Sequence, residues 1–390
     1  MQISILGGGV AGLSAAIALT ERGHTVHVHE RRQRPSTLGA GVTLWPNATF
    51  VLAELGILDR LHAVSGSPRS MQRFDAAGAP IGVIDIRAID EQMGHPTLSV
   101  LRHDLQRVLL DRLGELGVTV SYGRVAREVG ERDARAWTRF ETGEEIAADL
   151  VVGAEGRMSS AARRYVHPGA TAIYQGFVNW VGIAESTEQL VEDPHAIIDY
   201  WGTGVRFGIV PLGARRAYWA AGKAMPPDAP SSADALRGEL FARFAQWPAV
   251  IGRIIEASPR ESLRTIAVHD LDPMPHWHRG RVVVIGDAAH ASLPTSGQGA
   301  CQALEDAWHL ARCLRLDEPD PAERLEMFTR LRQPKTRNIT LAGRQLASSI
   351  FHEDADVCRT RDERTRRSDH QQLATAMATH WSAGLPLRPV

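Results

Sequence analysis

The sequence predicts an α/β protein: one domain on a parallel sheet, a second with a mostly antiparallel sheet, and a C-terminal helical segment. Three observations predict it. The chain opens on strand, glycine-rich turn, helix and second strand, "ISILGGGVAGLSAAIALTERGHTVHVHE". Two more apolar runs end in glycine-rich turns far downstream, "ADLVVGAEGRMSSAARR" and "GRVVVIGDAAHASLPTSGQGA". Between them, stretches such as "YWGTGVRFGIVPLG" set polar residues among apolar ones, as strands with one buried face do.

The opening unit carries Gly7, Gly9 and Gly12 in G-x-G-x-x-G spacing. Gly7 permits the tight turn, Gly9 lets the backbone approach a pyrophosphate, and Gly12 lets helix and strand pack closely. Glu30 follows Gly12 by 18 residues, at the end of the second strand. An acid there accepts both hydroxyls of an adenosine ribose and disfavours a 2′-phosphate. The unit is Rossmann-like and binds a dinucleotide; its spacing does not separate NAD from FAD.

Bulk composition narrows the class. With 390 residues, 44% hydrophobic, the chain exceeds one ordinary core. The net charge of −1 lacks the basic excess of a nucleic-acid binder. Cys301, Cys313 and Cys358 form no C-x-x-C pair, so neither a disulfide framework nor a metal site is expected. No apolar run reaches the roughly 18–20 residues of a membrane helix, and the apolar N-terminus has no basic flank. A cytoplasmic protein without a membrane or nucleic-acid partner is expected.

The later segments follow in order. Gly39 and Gly41 would let the chain lie close to a flat ring, and "WPNA" leads into a helix. Leu101–Gly117 is an amphipathic helix with Arg102 at its start, where a cation gains nothing from the helix dipole and would answer a bound anion. Glu155, between Gly153 and Gly156, either meets a ligand hydroxyl or caps the next turn. Asp287 ends an apolar strand, at the sheet edge where ligands of α/β proteins bind. Gly297-Gln298-Gly299 then opens a helix whose free N–H groups would stabilise negative charge on a reduced flavin.

Over about residues 1–340 these segments, in this order, resemble the single-component FAD-dependent aromatic hydroxylases, the para-hydroxybenzoate hydroxylase-like flavoprotein monooxygenases. Within that family, "GFVNWVGIAE" is most similar to the bacterial urate hydroxylases and related heteroaromatic hydroxylases. The resemblance implies tightly bound, non-covalent FAD and NAD(P)H as a transient co-substrate. It implies hydroxylation of a small electron-rich aromatic or heteroaromatic ring by O2 through a flavin C4a-hydroperoxide, in a monomer or homodimer. The implied cofactor residues are Gly7, Gly9, Ala11, Gly12, Glu30, Arg31, Gly41, Val42, Arg102, Val125, Glu155, Gly286, Asp287, Pro294, Gly297, Gln298, Gly299 and Ala300. The implied catalytic residues are Arg206 and Tyr218, twelve apart as in the urate enzymes.

Two positions depart from the family pattern. Glu155 replaces an aspartate, with Arg163 eight rather than seven residues later, and Thr295 stands where urate enzymes carry an aspartate. His290 and His103 read as structural; Ser36, Thr37 and Thr295 have no assigned role. Trp180 and Trp201 read as core or as pocket walls. The expected cofactor domain is 1–72, 100–172 and 265–335, the substrate domain 73–99 and 173–264, and the C-terminal helix and tail 336–390, with the helix interrupted near Pro334. The alternatives are a non-turnover flavin protein that binds or protects an intermediate, and a flavin oxidase or reductase of the same fold. A halogenase is disfavoured, because no lysine precedes Lys223 and no Trp-x-Trp-x-Ile-Pro occurs.

Overall fold

The structure, a computed structural model, describes residues 1–35, 40–227, 233–314, 316 and 320–387. The expectations for Ser36, Thr37 and Gly39 lie outside the described residues.

The chain begins with β1 (Gln2–Leu6), α1 (Val10–Glu21) and β2 (Thr25–Glu30), followed by β3 (Gly41–Leu44), α2 (Pro46–Glu54) and α3 (Leu58–His62). Next come β4 (Ser70–Asp75), β5 (Pro80–Asp85), α4 (Ile86–Met93), β6 (Leu98–Leu101), α5 (Arg102–Glu115) and β7 (Val120–Tyr122). A meander of β8 (Ala126–Arg132), β9 (Arg135–Phe140) and β10 (Glu145–Ala148) leads to β11 (Leu150–Gly153) and α6 (Ala161–Val166). Four long strands follow, β12 (Ile173–Glu185), β13 (Ala196–Trp201), β14 (Val205–Pro211) and β15 (Arg216–Ala224), then α7 (Ala233–Phe244), α8 (Ala249–Glu256) and β16 (Arg264–Asp270). The chain closes through β17 (His278–Arg279), β18 (Val282–Val284), α9 (Asp287–His290), α10 (Gly299–Cys313), α11 (Ala322–Ile350), α12 (Ala355–Arg367) and α13 (His370–Ser382).

One sheet runs β17-β18-β11-β1-β2-β7, parallel except for its β17 edge. Its central strands are apolar on both faces, as a sheet covered by helices on each side requires. Ile3, Ile5, Val151, Val152, Val283 and Val284 are buried together with Leu13 and Ile17 of α1 and Leu304 of α10. The parallel order brings the ends of β1, β11 and β18 side by side. The three glycine-rich turns, distant in sequence, therefore share one edge.

A second sheet runs β16-β12-β15-β14-β13-β4-β5, antiparallel except for the β13–β4 pair. Its two faces differ, because strand side chains alternate. Trp180, Phe207, Trp219 and Ile209 pack against Leu240, Ile251 and Ile255 of α7 and α8. The opposite face looks toward β3 and α11. The boundary expected at 265 needs correction: it falls inside β16, which pairs with β12 and so extends the antiparallel sheet to Asp270.

The expected break near Pro334 is also absent. α11 runs unbroken from Ala322 to Ile350 with Pro334 inside it. Pro334 removes one N–H and faces solvent, while Arg332 and Lys335 on either side are buried in ion pairs with Glu305. Tertiary pairing on the inner face outweighs the lost hydrogen bond. No helix among the described residues is long and apolar enough to cross a membrane.

Candidate functional site

The first turn forms a cradle. Gly7 has φ +114°, and a Cβ there would lie 2.3 Å from the Ala154 carbonyl oxygen. A Cβ on Gly12 would lie 1.9 Å from the Gly7 carbonyl oxygen, which fixes the close strand–helix approach. Gly9, in contrast, is exposed, and a Cβ there would meet no atom within 4 Å. That open space, at a helix N-terminus with no side-chain cap and no acid in its first turn, fits an incoming pyrophosphate. Glu30 accepts the Gly8 N–H at 2.7 Å and the Arg32 N–H at 2.8 Å, so its carboxylate is held beside the cradle. Gln106 of α5, not anticipated from sequence, donates from Nε2 to the Gly8 carbonyl at 2.8 Å. Arg31 and Arg102 are exposed, and neither makes an ion pair among the described residues. Val125 accepts the Glu141 N–H through its backbone carbonyl.

The second turn takes the capping role that the sequence left open. Glu155 accepts hydrogen bonds from Ser160 Oγ and the Ala161 N–H, at 2.7 Å for the latter, at the start of α6. Burial raises its carboxyl above the ordinary range, against the pull of those donors. Its carboxylate thus caps α6. Arg163 is likewise internal: it donates to the carbonyls of Gly156, Arg157, Ala170 and Ala288.

The third turn abuts the first. Gly286 has φ +56°, and a Cβ there would lie 2.7 Å from the Ala11 Cβ. Asp287 is partly exposed, 3.4 Å from Arg157 Nη1, and faces Gly299. Pro294, Gly297, Gly299 and Ala300 keep surface open to a ligand. Gln298 does not present its side chain there. Its Oε1 accepts from Asn47 Nδ2 at 2.9 Å and Gln302 Nε2 at 3.0 Å in the core.

Behind this turn lies a buried ionic network that no local spacing announces. Asp306 accepts the Gly286 N–H at 2.8 Å, lies 2.5 Å from His290 Nε2, and accepts from Arg332 Nε at 2.8 Å. Glu305 binds Arg332 Nη1 at 2.6 Å, Lys335 Nζ at 2.9 Å and Asn47 Nδ2 at 2.7 Å. Lys335 also donates to the carbonyls of Trp381 and Ala383, which ties α13 to α10. Burial alone would raise both carboxyls. The facing cations outweigh it, holding Glu305 below its ordinary range and Asp306 down at about 2. His290 is buried against Asp306, in keeping with a structural reading. His103 lies 3.5 Å from Asp104 on α5.

The inner face of the antiparallel sheet carries the two expected catalytic residues. Strand register puts Gly208 of β14 beside Ala220 of β15, with Asp199 of β13 and Val181 of β12 on either side. Arg206 lies one row away from this floor and Tyr218 one row away on the other side. The Arg206 guanidinium reaches over Gly208, where a Cβ would lie 3.4 Å from its Nη2, and partly exposed Ala220 leaves a shallow trough between that guanidinium and the Tyr218 phenol, a shape suited to a flat ring. Arg206 Nε donates to Asp199 Oδ1 at 2.6 Å, and Trp201 Nε1 donates to Asp199 Oδ2 at 2.8 Å. Asp199, 4% exposed and not anticipated from sequence, thereby fixes the guanidinium plane and leaves the terminal nitrogens toward the trough. Trp180 lies on the other face, in the core.

Tyr218 joins the sheet to the cofactor side. Its ring lies against Gly41, where a Cβ would sit 1.7 Å from Tyr218 Cδ1, and its hydroxyl is 3.1 Å from Thr43 Oγ1. The flat ring against Gly41 is therefore this phenol; Val42, next in β3, pairs with Val100. Burial pushes the Tyr218 phenol up to about 12, so it stays neutral and can donate or accept. Thr295 donates from Oγ1 to the Gly343 carbonyl at 2.9 Å, which turns its hydroxyl onto α11.

The chain is 33% identical over 393 residues to a 3-amino-4-hydroxybenzoate 2-monooxygenase of Streptomyces cremeus, covering 99% of this chain and 96% of that one. It is 31% identical over 368 residues to an aurachin C monooxygenase/isomerase of Stigmatella aurantiaca, covering 94% of each. Among solved structures, Klebsiella pneumoniae HpxO complexed with FAD and uric acid superposes with a TM-score of 0.90 at 28% identity, over 99% of this chain and 97% of that one. The family described as "FAD binding domain" matches residues 1–340, so the chain belongs to that family and is an FAD-dependent monooxygenase.

Proposed function

We propose that the protein hydroxylates a small electron-rich aromatic or heteroaromatic ring, with NAD(P)H as reductant. In the net reaction a ring C–H becomes C–OH, NAD(P)H is oxidised, and the second oxygen atom of O2 leaves as water. The observation that carries this reading is the trough over Ala220, set between Arg206 and Tyr218. The names of the relatives support it, since they act on urate or on an aminohydroxybenzoate.

FAD, when bound, supplies the electron transfer and the activation of O2. Gly7, Gly9, Ala11, Gly12, Glu30, Arg31 and Arg102 would hold its adenosine and pyrophosphate end. Val125, which follows Arg124 whose N–H donates to the Glu30 carbonyl, would join that end; Gly41, Val42, Gly286, Asp287, Pro294, Gly297, Gly299 and Ala300 would line the rest. Tyr218 hydrogen-bonds the ring substituent, and Arg206 orients it and draws negative charge toward its terminal nitrogens. The sheet and β3 exclude water from the reacting carbon. Thr295 offers no carboxylate to a substrate N–H, which favours a ring other than urate.

The test is a panel of phenols, anilines and N-heteroaromatics added to FAD-loaded protein with NADH or NADPH. Substrate-stimulated oxidation with a product heavier by one oxygen is expected. No stimulation by any member would leave a flavin protein without turnover.

A further inference from the structure

The trough has a third polar wall besides Arg206 and Tyr218. Asn179 of β12 pairs with Gly222 of β15, and Gly222 pairs with Arg206 of β14, so Asn179 and Arg206 stand in one row on the inner face. Asn179 is also the diagonal neighbour of Ala220, whose direct partner on β12 is Val181. Diagonal pairs in a sheet lie about 7–8 Å apart, within reach of a side-chain amide across a bound ring. On this face Arg206, Tyr218, Ala220, Asn179, Ile183 and Ile266 are all partly open. Trp180 and Trp219, facing the other way, are buried. The open patch therefore continues from Ala220 past Asn179 toward β16.

Asparagine is an unusual residue for this place. It is depleted in strands, and its amide carries two donors and an acceptor that need partners once water is excluded. Among the described residues the Asn179 side chain makes no hydrogen bond. Its surroundings are apolar. A Cβ on Gly222 would lie 2.7 Å from Asn179 Oδ1 and 2.7 Å from Phe351 Cζ, so the bare glycine lets the amide and the Phe351 ring settle side by side on the sheet. Phe351 stacks on Phe177 at 4.2 Å between centroids, and both pack with Leu293, the residue before Pro294. Asn179 thus stands between the trough and the Pro294–Thr295 segment, where Thr295 turns its hydroxyl away onto the Gly343 carbonyl.

We infer that Asn179 is a specificity residue that reads a lactam-type edge, a ring N–H beside a ring carbonyl, on a heteroaromatic substrate lying over Ala220. Its amide offers Oδ1 to the N–H and Nδ2 to the carbonyl. A guanidinium, with donors only, and a phenol, with a single oxygen, cannot make that cyclic pair. Arg206 and Tyr218 then serve substituents at the other edges of the ring. This rests on the trough being the substrate site, and it narrows the substrate from aromatic rings in general to lactam-bearing heteroaromatics.

The test is binding to the oxidised, FAD-loaded protein, read as the change in visible flavin absorbance when a ring settles beside the cofactor. The probes are 2-quinolone and coumarin, which share a bicycle and a carbonyl but place N–H in one and a ring oxygen in the other. The wild type should bind 2-quinolone about tenfold or more tighter, since coumarin loses a hydrogen bond and sets a lone pair against Oδ1. Asn179→Leu, of similar shape, should bring the two affinities within about twofold. Equal affinities in the wild type overturn the inference, as does a preference kept by Asn179→Leu with FAD bound. Should leucine crowd Phe351 and cost the protein its FAD, Asn179→Ala decides by the same two measurements. Hydroxylation of phenols without a 2-quinolone preference overturns this inference alone. A preference that is lost in Asn179→Leu, without turnover of any ring, supports the site and overturns only the hydroxylation.

Discussion

The carboxylate of Asp306 accepts the backbone N–H of Gly286 at 2.8 Å, although twenty residues separate them. The same carboxylate holds His290 at the end of α9 and Arg332 of α11. One buried acid therefore sets the turn that presents Asp287, and one arginine neutralises it. Replacing Arg332 by methionine would leave Glu305 and Asp306 buried with fewer cations. Breaking such a pair on one side costs about 3–5 kcal/mol. A lower thermal midpoint and earlier release of fluorescent flavin are expected together. An unchanged midpoint would remove the network from the list of what holds this turn.

The same network predicts an acid sensitivity. Asp306 is held at about 2 when folded, below the roughly 3.9 of an unfolded aspartate. A depressed carboxyl stabilises the folded state above the unfolded value, and that contribution fades as pH falls toward the folded value. The stability difference between wild type and Asp306→Asn should be constant near neutrality and shrink between about pH 4 and pH 2. Urea unfolding across that range measures it. A difference that stays constant down to pH 2 would show that Asp306 titrates normally.

Gly41 predicts a steric coupling. A methyl at this position collides with the Tyr218 ring, so the phenol must leave its place beside Thr43. Misplacing a reacting group by about 1 Å can cost roughly 100-fold in rate. Gly41→Ala should lower kcat/KM by about that order. In a Tyr218→Ala background the same change should cost little, since the clash is gone. Additive losses in the double variant would mean that Gly41 acts on the cofactor and not through Tyr218.

Features carried by local spacing were legible in the sequence. Gly7, Gly9, Gly12 and Glu30 lie within one β-α-β unit, and the Gly286–Ala300 turn follows its own apolar strand. Asp199 was not legible, because only strand register brings it to Arg206. Arg332 and Lys335 flank a proline, and only packing against α10 shows them buried in ion pairs. Glu155 was ambiguous for a different reason: capping and ligand binding ask for the same acid after the same strand. Gln298 sits at the right helix start, but Asn47 and Gln302 turn its amide inward.

Asp199 carries the last prediction. Its two oxygens each accept one N–H donor, Arg206 Nε on one and Trp201 Nε1 on the other. Asparagine has the same shape but one oxygen, and its amide would set N–H against N–H at one of the two partners. Arg206 then loses the contact that fixes its plane, while its charge and the strand remain. Hydrogen bonds to charged groups contribute about 1.5–3 kcal/mol, so kcat/KM should fall about tenfold or more in Asp199→Asn. Oxygen transfer needs the reacting ring carbon in place, a stricter demand than stimulation of flavin reduction by a bound ring, so NAD(P)H consumption should fall less than product formation. The ratio of product to NAD(P)H consumed is therefore the diagnostic quantity. If that ratio is unchanged while FAD content is also unchanged, Asp199 is only a fold residue, and the orientation of Arg206 rests on something else.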